Sequence, residues 1–566
     1  MRTESQPEST SQARRLSAGL GWALAGLLCS CAALAEDTDA ASCAPPHPSP
    51  ERSSDRRIDR PLFERYEGYK IGSIAIESRD IFNESNPREN NWLYRAANRI
   101  QVNTREPVIR SQLLFEEGDT LDLDKVEESI RILYGREYLL NVKIEIAQVC
   151  DQSVDLLVIA RDAWVIEPRI NYGLEGGETT SGIGLRDGNF FGSGNALELI
   201  YQSTPERSKI IYRFTSENFL NRRLNAEFYH ADLSDGSNRT IAIEKPFFSI
   251  DSERAYGVST DLEHIKETTR VRSEEVNRYD HKTQHDTIYI GQALQHNRTL
   301  ARRLVMGLER EHHQFAPVES TVDLPSPMEQ QFLYFGYQQD TNKYREFRNL
   351  DQIKRAEDIA IGTQFEARYG IGTWENAEQL NKVEAELSTV LSLSDKHLYR
   401  LGAELEWNQY ADTRETRGSS VSLAASYYHF ITSHHRWYFA AQYDMGWSLD
   451  EYEEFELGEA NNLRGYPISF QRGDQRYTLN IERRYYSDIH WFNLIRVGAA
   501  VFVDAGRAWS DLYPDNPVLA SAGLGLRFQA SKTGNPMVLH VNIAKPLIDT
   551  EGIDDALLSI TMQDRF

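Results

Sequence analysis

From about residue 167 to its end the chain alternates apolar and polar positions with a period of two. Leu224, Ala226 and Phe228 alternate with Asn225, Glu227 and Tyr229, and Ile241 and Ile243 with Thr240, Ala242 and Glu244. Leu524, Leu526 and Phe528 alternate with Gly525, Arg527 and Gln529, and Leu539, Val541 and Ile543 with His540, Asn542 and Ala544. Leu558, Ile560 and Met562 repeat the pattern against Ser559, Thr561 and Gln563. A strand sends successive side chains to opposite faces, so this is a strand signal. The segments run about 10 residues, the length a tilted strand needs to cross a bilayer. Turn clusters and polar loops, such as 313–327 and 411–419, separate them. The pattern predicts an antiparallel transmembrane β-barrel over 169–566, one strand face toward lipid and the other toward a polar lumen. Such a sheet must close, because an open edge in lipid leaves backbone groups unpaired. A soluble sandwich or propeller would alternate too. Strand length, an export signal and the terminal Phe566, read as a C-terminal assembly signal, favour the membrane. Asp564 departs from the apolar alternation expected of such a signal.

Residues 68–168 have a different pattern. Tyr69–Ser78 is strand-like, and Thr104 and Pro107 open a short helix running to Phe115. After the Glu117-Gly118-Asp119 turn, Asp122 caps a second helix with Val126, Ile130 and Leu133 on one face and Gly135 as its stop. Leu140–Ala147 and Ser153–Ile166 read as strands. The order β-α-α-β-β predicts two helices layered on a three-stranded sheet. Residues 79–103 form an insertion to which the pattern assigns no element.

The N-terminus carries Arg14-Arg15, an apolar run from Leu16 to Ala35 and the small-residue ending Ala33-Leu34-Ala35. This reads as a cleaved signal peptide over 1–35. The alternatives are an uncleaved anchor and a lipobox acylated at Cys31. Residues 36–67, rich in Pro, Ser and charge, read as a disordered leader. Cleavage would leave Cys43 and Cys150 in an oxidising compartment, where they either pair or stay free. Net charge is -23, which argues against nucleic acid as a partner. The mean hydropathy of -0.54 looks soluble, yet barrel strands average out to polar.

No H-E-x-x-H, Cys-x-x-Cys, EF-hand or G-x-S-x-G spacing occurs. The pairs His312-His313 and His434-His435 read as ordinary lumen or loop residues. No catalytic residue, cofactor or metal is expected, and the chain is read as a non-enzyme.

Four segments carry a family resemblance. The 68–168 region, with Phe115-Glu116-Glu117-Gly118-Asp119, resembles one POTRA domain. Asp187-Gly188-Asn189-Phe190-Phe191-Gly192-Ser193-Gly194, with Asn189, Gly192 and Gly194 as its fixed points, resembles a motif near the first barrel strands. Leu463-Arg464-Gly465-Tyr466 and Phe502-Val503-Asp504-Ala505-Gly506 resemble a lumen-loop motif and a barrel-wall motif. Together they resemble the BamA/TamA-type outer-membrane assembly and translocation family, also called the bacterial surface antigen family. The resemblance implies a sixteen-stranded barrel, with the Arg464 loop folded into the lumen. Five strand candidates follow that loop and about fifteen precede it, so the expectation is about 16 strands, with 20 as the upper bound.

Residue alternation puts Glu482 and Asp504 on the lumen face. A loop arginine entering a lumen loses hydration and needs anions. Arg464 is therefore expected to bond Asp504, with Glu482 close by. Gly465 lets the loop approach the wall, and Tyr466 packs beside it. The resemblance implies a monomeric barrel in the bacterial outer membrane with its N-terminal domain in the periplasm. Membrane lipid and an unfolded client captured by strand addition are the partners expected. A passive channel or structural barrel is the alternative.

Overall fold

The computed structural model describes residues 43–45 and 57–563, except 88, 176–177, 205, 272–273, 298, 375–377, 450–452, 535–536, 549–552 and 554–555. The expected signal peptide, Cys31 and Phe566 lie outside these residues.

The small N-terminal domain has strands β1 (Cys43–Ala44), β2 (Lys70–Arg79), β3 (Leu139–Cys150) and β4 (Ser153–Asp162) in the order β1-β3-β4-β2. β3 runs antiparallel to β4, and β2 runs parallel to it. Helices α1 (Arg60–Arg65), α2 (Trp92–Ile100), α3 (Glu106–Arg110) and α4 (Leu123–Tyr134) complete the domain. Asp122 caps α4 by accepting from the backbone N–H groups of Asp124 and Lys125, and Gly135 ends it. Val126, Ile130 and Leu133 of α4 pack with Val142, Ile144, Leu156 and Val158 of the sheet in one core. Cys150 is disulfide-bonded, and the strand register sets Cys43 opposite it.

Three expectations need correction here. The sheet has a fourth strand, β1, where three were expected. The helix expected to run to Phe115 ends at Arg110, with Leu113 and Phe115 reaching the core from the turn beyond it. Residues 57–67 are not a disordered leader. Helix α1 buries Leu62 and Phe63 in the domain core, so two apolar residues outweigh a polar neighbourhood. Residues 79–103, to which the pattern assigned no element, contain α2.

Beyond residue 165, among the described residues, four short strands form two separate hairpins, and twenty strands from Ile166–Glu175 to Leu557–Gln563 form one sheet, each antiparallel to the next in a closed order. The last meets the first where Ile560 lies opposite Leu174. Fifteen of these strands precede residue 448 and five follow it. The alternation count was therefore the better guide, and the sixteen implied by the resemblance is too few. The longest, Glu274–Asn297, has 24 residues. Among the described residues no helix is long and apolar enough to cross a membrane.

Side chains sort by face as the alternation requires. On Leu300–Pro317, Leu304, Met306 and Leu308 are exposed, while Arg303, Val305 and Gly307, which alternate with them, are buried. Leu479 and Ile481 point outward, as do Val501, Val503, Leu524 and Leu526. The inward face is charged, as where Arg368 meets Glu384 at 2.8 Å.

Candidate functional site

The interior is filled from both ends. The near side is that of the small domain. The far side holds the long loop between strands His435–Trp447 and Gln475–Trp491. Part of that loop is a short hairpin, Phe455–Leu457 paired with Gln471–Gly473. Leu457, Leu463, Tyr466 and Phe470 of the loop pack with Ala508 and Leu519 of the wall.

This packing delivers Arg464 to two wall carboxylates. Its Nε and Nη2 donate to Asp504 Oδ2 and Oδ1 at 2.7 and 2.8 Å, and its Nη1 donates to Glu482 Oε1 at 2.6 Å. Such a fork onto one carboxylate is strong and directional. The guanidinium also lies 3.5 Å from the ring centre of Phe502, a cation–π contact. Asn480 Nδ2 donates to Asp504 Oδ1 and to the Asn462 carbonyl, tying wall to loop a second time. Asp504 is fully buried, and Glu482 nearly so. Gly465 has φ +86, and a Cβ there would lie 3.1 Å from Ala544 of the wall. Tyr466 Oη donates to the Ala520 carbonyl at 2.9 Å. A Cβ at Gly506 would approach the Tyr477 carbonyl at 2.8 Å and Leu457 at 3.2 Å. The structure thus brings together all six residues singled out for the lumen loop.

The chain is similar in structure to several solved proteins. One is BamA from Haemophilus ducreyi lacking POTRA domains 1–3, at 14% identity and TM-score 0.40, covering 86% of this chain and 84% of that one. CdiB from Acinetobacter baumannii matches at 13% and 0.40, over 88% of this chain and 74% of that one. CdiB from Escherichia coli matches at 14% and 0.43, over 87% and 76%. No protein-family model matches the sequence, and no curated protein does.

The near-side insert was not legible in the sequence. It is a hairpin, Tyr344–Arg348 paired with Ala356–Ala360, between strands Met328–Thr341 and Gly362–Trp374. Its tip buries Leu350 and Ile353. Glu357 gathers the tip by accepting from the backbone N–H groups of Leu350, Asp351 and Gln352 at 3.0, 3.0 and 3.2 Å. Asp351 then accepts from Arg400 at 2.7 Å and from Tyr428 Oη at 2.9 Å. Tyr486 Oη donates to the Leu350 carbonyl, and the Ile353 N–H donates to Gln529. The same hairpin touches the small domain, where Arg57 pairs with Asp358 and Tyr134 Oη donates to the Ala356 carbonyl.

One chain of contacts connects the two inserts. Glu482 accepts from Arg464 with one oxygen and from Arg484 Nε with the other, at 2.7 Å. Arg484 lies 3.8 Å over the Tyr438 ring, and Tyr438 packs on Tyr428 with centroids 4.9 Å apart. Tyr428 holds Asp351.

The early-barrel motif does something different: it docks the small domain. Thr104 donates through N and Oγ1 to the buried Asp162 at 2.7 and 2.8 Å, and Asn189 Nδ2 donates to Thr104 Oγ1 at 2.9 Å. Asn189 Oδ1 accepts from the Gly194 N–H, and the Arg105 N–H donates to the Gly192 carbonyl. Gly192 has φ +69, and a Cβ would strike the Asn103 carbonyl at 2.3 Å. A second turn repeats the device. Asn218 Oδ1 accepts from the Arg223 N–H, while Arg223 donates to the Ser111 and Leu113 carbonyls. The recurrence of Asn-Phe-apolar, at Asn189-Phe190-Phe191 and Asn218-Phe219-Leu220, was the available signal.

Burial pushes the Asp162 carboxyl up to about 7, against the lowering effect of its hydrogen bonds from Thr104. Among the described residues no group of three or more His, Cys, Asp or Glu is placed to hold a metal ion.

Proposed function

We propose that this chain spans the bacterial outer membrane, with its small domain as a POTRA-like unit in the periplasm, and inserts or translocates client proteins there. The observation that carries the reading is the Arg464 clasp on Asp504 and Glu482. It joins the Arg-Gly-Tyr and F-x-D-x-G segments, the two motifs on which the family resemblance chiefly stands. The outward rows of Leu, Ile, Val and Phe supply an apolar face suited to lipid, and the charged inward face suits a lumen.

β2 is an edge strand of the small sheet. The 116–121 loop covers the start of that edge, with the Gly118 N–H donating to the Ile71 carbonyl and the Ile71 N–H to the Asp119 carbonyl. The remainder, from Ala75 to Arg79, is suited to strand addition by an unfolded client. The two inserts argue against a permanently open passive channel, since both bury apolar residues in the interior.

Deleting the gene and comparing envelope proteomes tests the reading. Loss of one or a few surface proteins is the expected result. An unchanged proteome with altered small-solute permeability would turn the assignment to a channel. A photo-crosslinker at Ala75 should capture the missing client.

A further inference from the structure

Helix α2, in the insertion the sequence pattern could not assign, leaves an apolar face uncovered. Helical positions fall about 100° apart. Tyr94, Ala97 and Gln101 therefore share one side, and all three are buried. Phe82 stacks on Tyr94 there, with centroids 4.1 Å apart. Trp92, Leu93, Ala96 and Ile100 share the adjoining arc. Trp92 is 74% exposed and Ile100 64%. The next positions around the helix are Arg95 and Arg99. This is the make-up of a helix that lies in a membrane surface: an apolar arc carrying a tryptophan, bordered by cations.

Its position points to the same occupant. Tyr94 Oη donates to the carbonyl of Phe492, at the tip of the near-side turn between strands Gln475–Trp491 and Ile495–Trp509. Phe492 is itself 84% exposed. Glu89, just before α2, pairs with Lys532 of another near-side turn at 2.6 Å. The helix is therefore held at the rim where the barrel's outward apolar band ends. Neighbouring near-side turn tips also present apolar side chains, Phe191 and Leu220.

We infer that α2 is an interfacial anchor, resting Trp92, Leu93 and Ile100 in the near-side leaflet of the membrane that the barrel crosses, with Arg95 and Arg99 at the headgroups. The inference rests on the membrane reading of the barrel. An anchor here would hold the small domain at a set height and angle under the barrel mouth.

The test uses the full chain in nanodiscs of phosphatidylethanolamine and phosphatidylglycerol, with and without brominated acyl chains. Tryptophan emission of the wild type minus that of Trp92→Phe isolates Trp92. The same subtraction with Trp437→Phe isolates an outward tryptophan near the near-side end of strand His435–Trp447. Bromolipid should quench Trp92 to an extent comparable with Trp437. Leu93→Gln with Ile100→Gln should weaken the quenching of Trp92 and leave that of Trp437 unchanged. Quenching of Trp437 without Trp92 would overturn the anchor and leave that face to a protein partner. Quenching of neither would overturn the membrane reading itself.

Discussion

The two inserts fill one lumen with a different balance of forces. The far-side loop is held by charge: one guanidinium shared between two wall carboxylates, with apolar packing behind it. The near-side hairpin is held at its tip by shape and backbone, with ion pairs of Lys354 to Asp488 and Arg345 to Asp395 at its edges. Glu357 collects three amide protons of its tip, Leu350 and Ile353 fill the space beneath, and a single carboxylate, Asp351, reaches the wall. A charge clasp fails as a unit, because losing the cation strands the buried Asp504 and leaves Glu482 to Arg484 alone. The near tip meets the wall through separate partners, Arg400, Tyr428, Tyr486 and Gln529, which can be lost one at a time. The far loop is thus suited to two discrete states, and the near hairpin to graded loosening.

Arg464→Ala should have the largest effect. Breaking a buried pair typically costs about 3–5 kcal/mol, and Arg464→Lys should recover only part because an ammonium cannot fork onto Asp504. Heat-modifiability on gels and thermal unfolding in detergent will register the loss, and an unchanged barrel would remove the clasp from the account. Asp351→Ala should cost less, about 1.5–3 kcal/mol for a charged hydrogen-bonded group. Limited proteolysis between 345 and 358 should then speed up while the far loop stays protected.

The double variant asks whether the inserts are independent. The contact chain through Tyr428, Tyr438, Arg484 and Glu482 predicts non-additivity of at least about 0.5 kcal/mol, and strict additivity would mean two separate plugs. Gly192→Ala should cost about 1–3 kcal/mol, because φ is +69 and the Asn103 carbonyl blocks a Cβ. The cost should fall on docking of the small domain, read by crosslinking of that domain to the barrel.

The gentlest handle is pH. Asp162 has a folded pKa raised to about 7 from 3.8, so the folded state holds its proton more tightly than the unfolded chain. Small-domain stability should therefore fall as pH rises from about 4 to about 7. Asp162→Asn should flatten that slope in denaturant titrations, and an unchanged slope would assign it to other groups.

The two inserts also differ in how far the sequence disclosed them. Period-two alternation puts Glu482 and Asp504 on the inward face, and desolvation of a loop arginine calls for anions, so partners for Arg464 followed from local rules. The near hairpin offers no such handle. In Arg348-Asn349-Leu350-Asp351-Gln352-Ile353-Lys354-Arg355 two apolar residues sit among polar ones, and nothing local says that they point into a barrel. Helix α1 was missed for a similar reason. Leu62 and Phe63 look like stray apolar residues in a charged leader until a domain core exists to receive them.

By itself the sequence determined the strands, their inward and outward faces, the helix caps of the small domain and the pairing logic of one loop arginine. Each follows from neighbours along the chain, through backbone period or the cost of burying a charge. Tertiary structure alone decided that the ring closes with twenty strands, that a second hairpin enters from the near side, and that Asn189, Gly192 and Gly194 clamp the small domain. Those outcomes depend on which distant segments meet. A strand can record which way its side chains point, but not how many partners complete its ring or what fills the space inside.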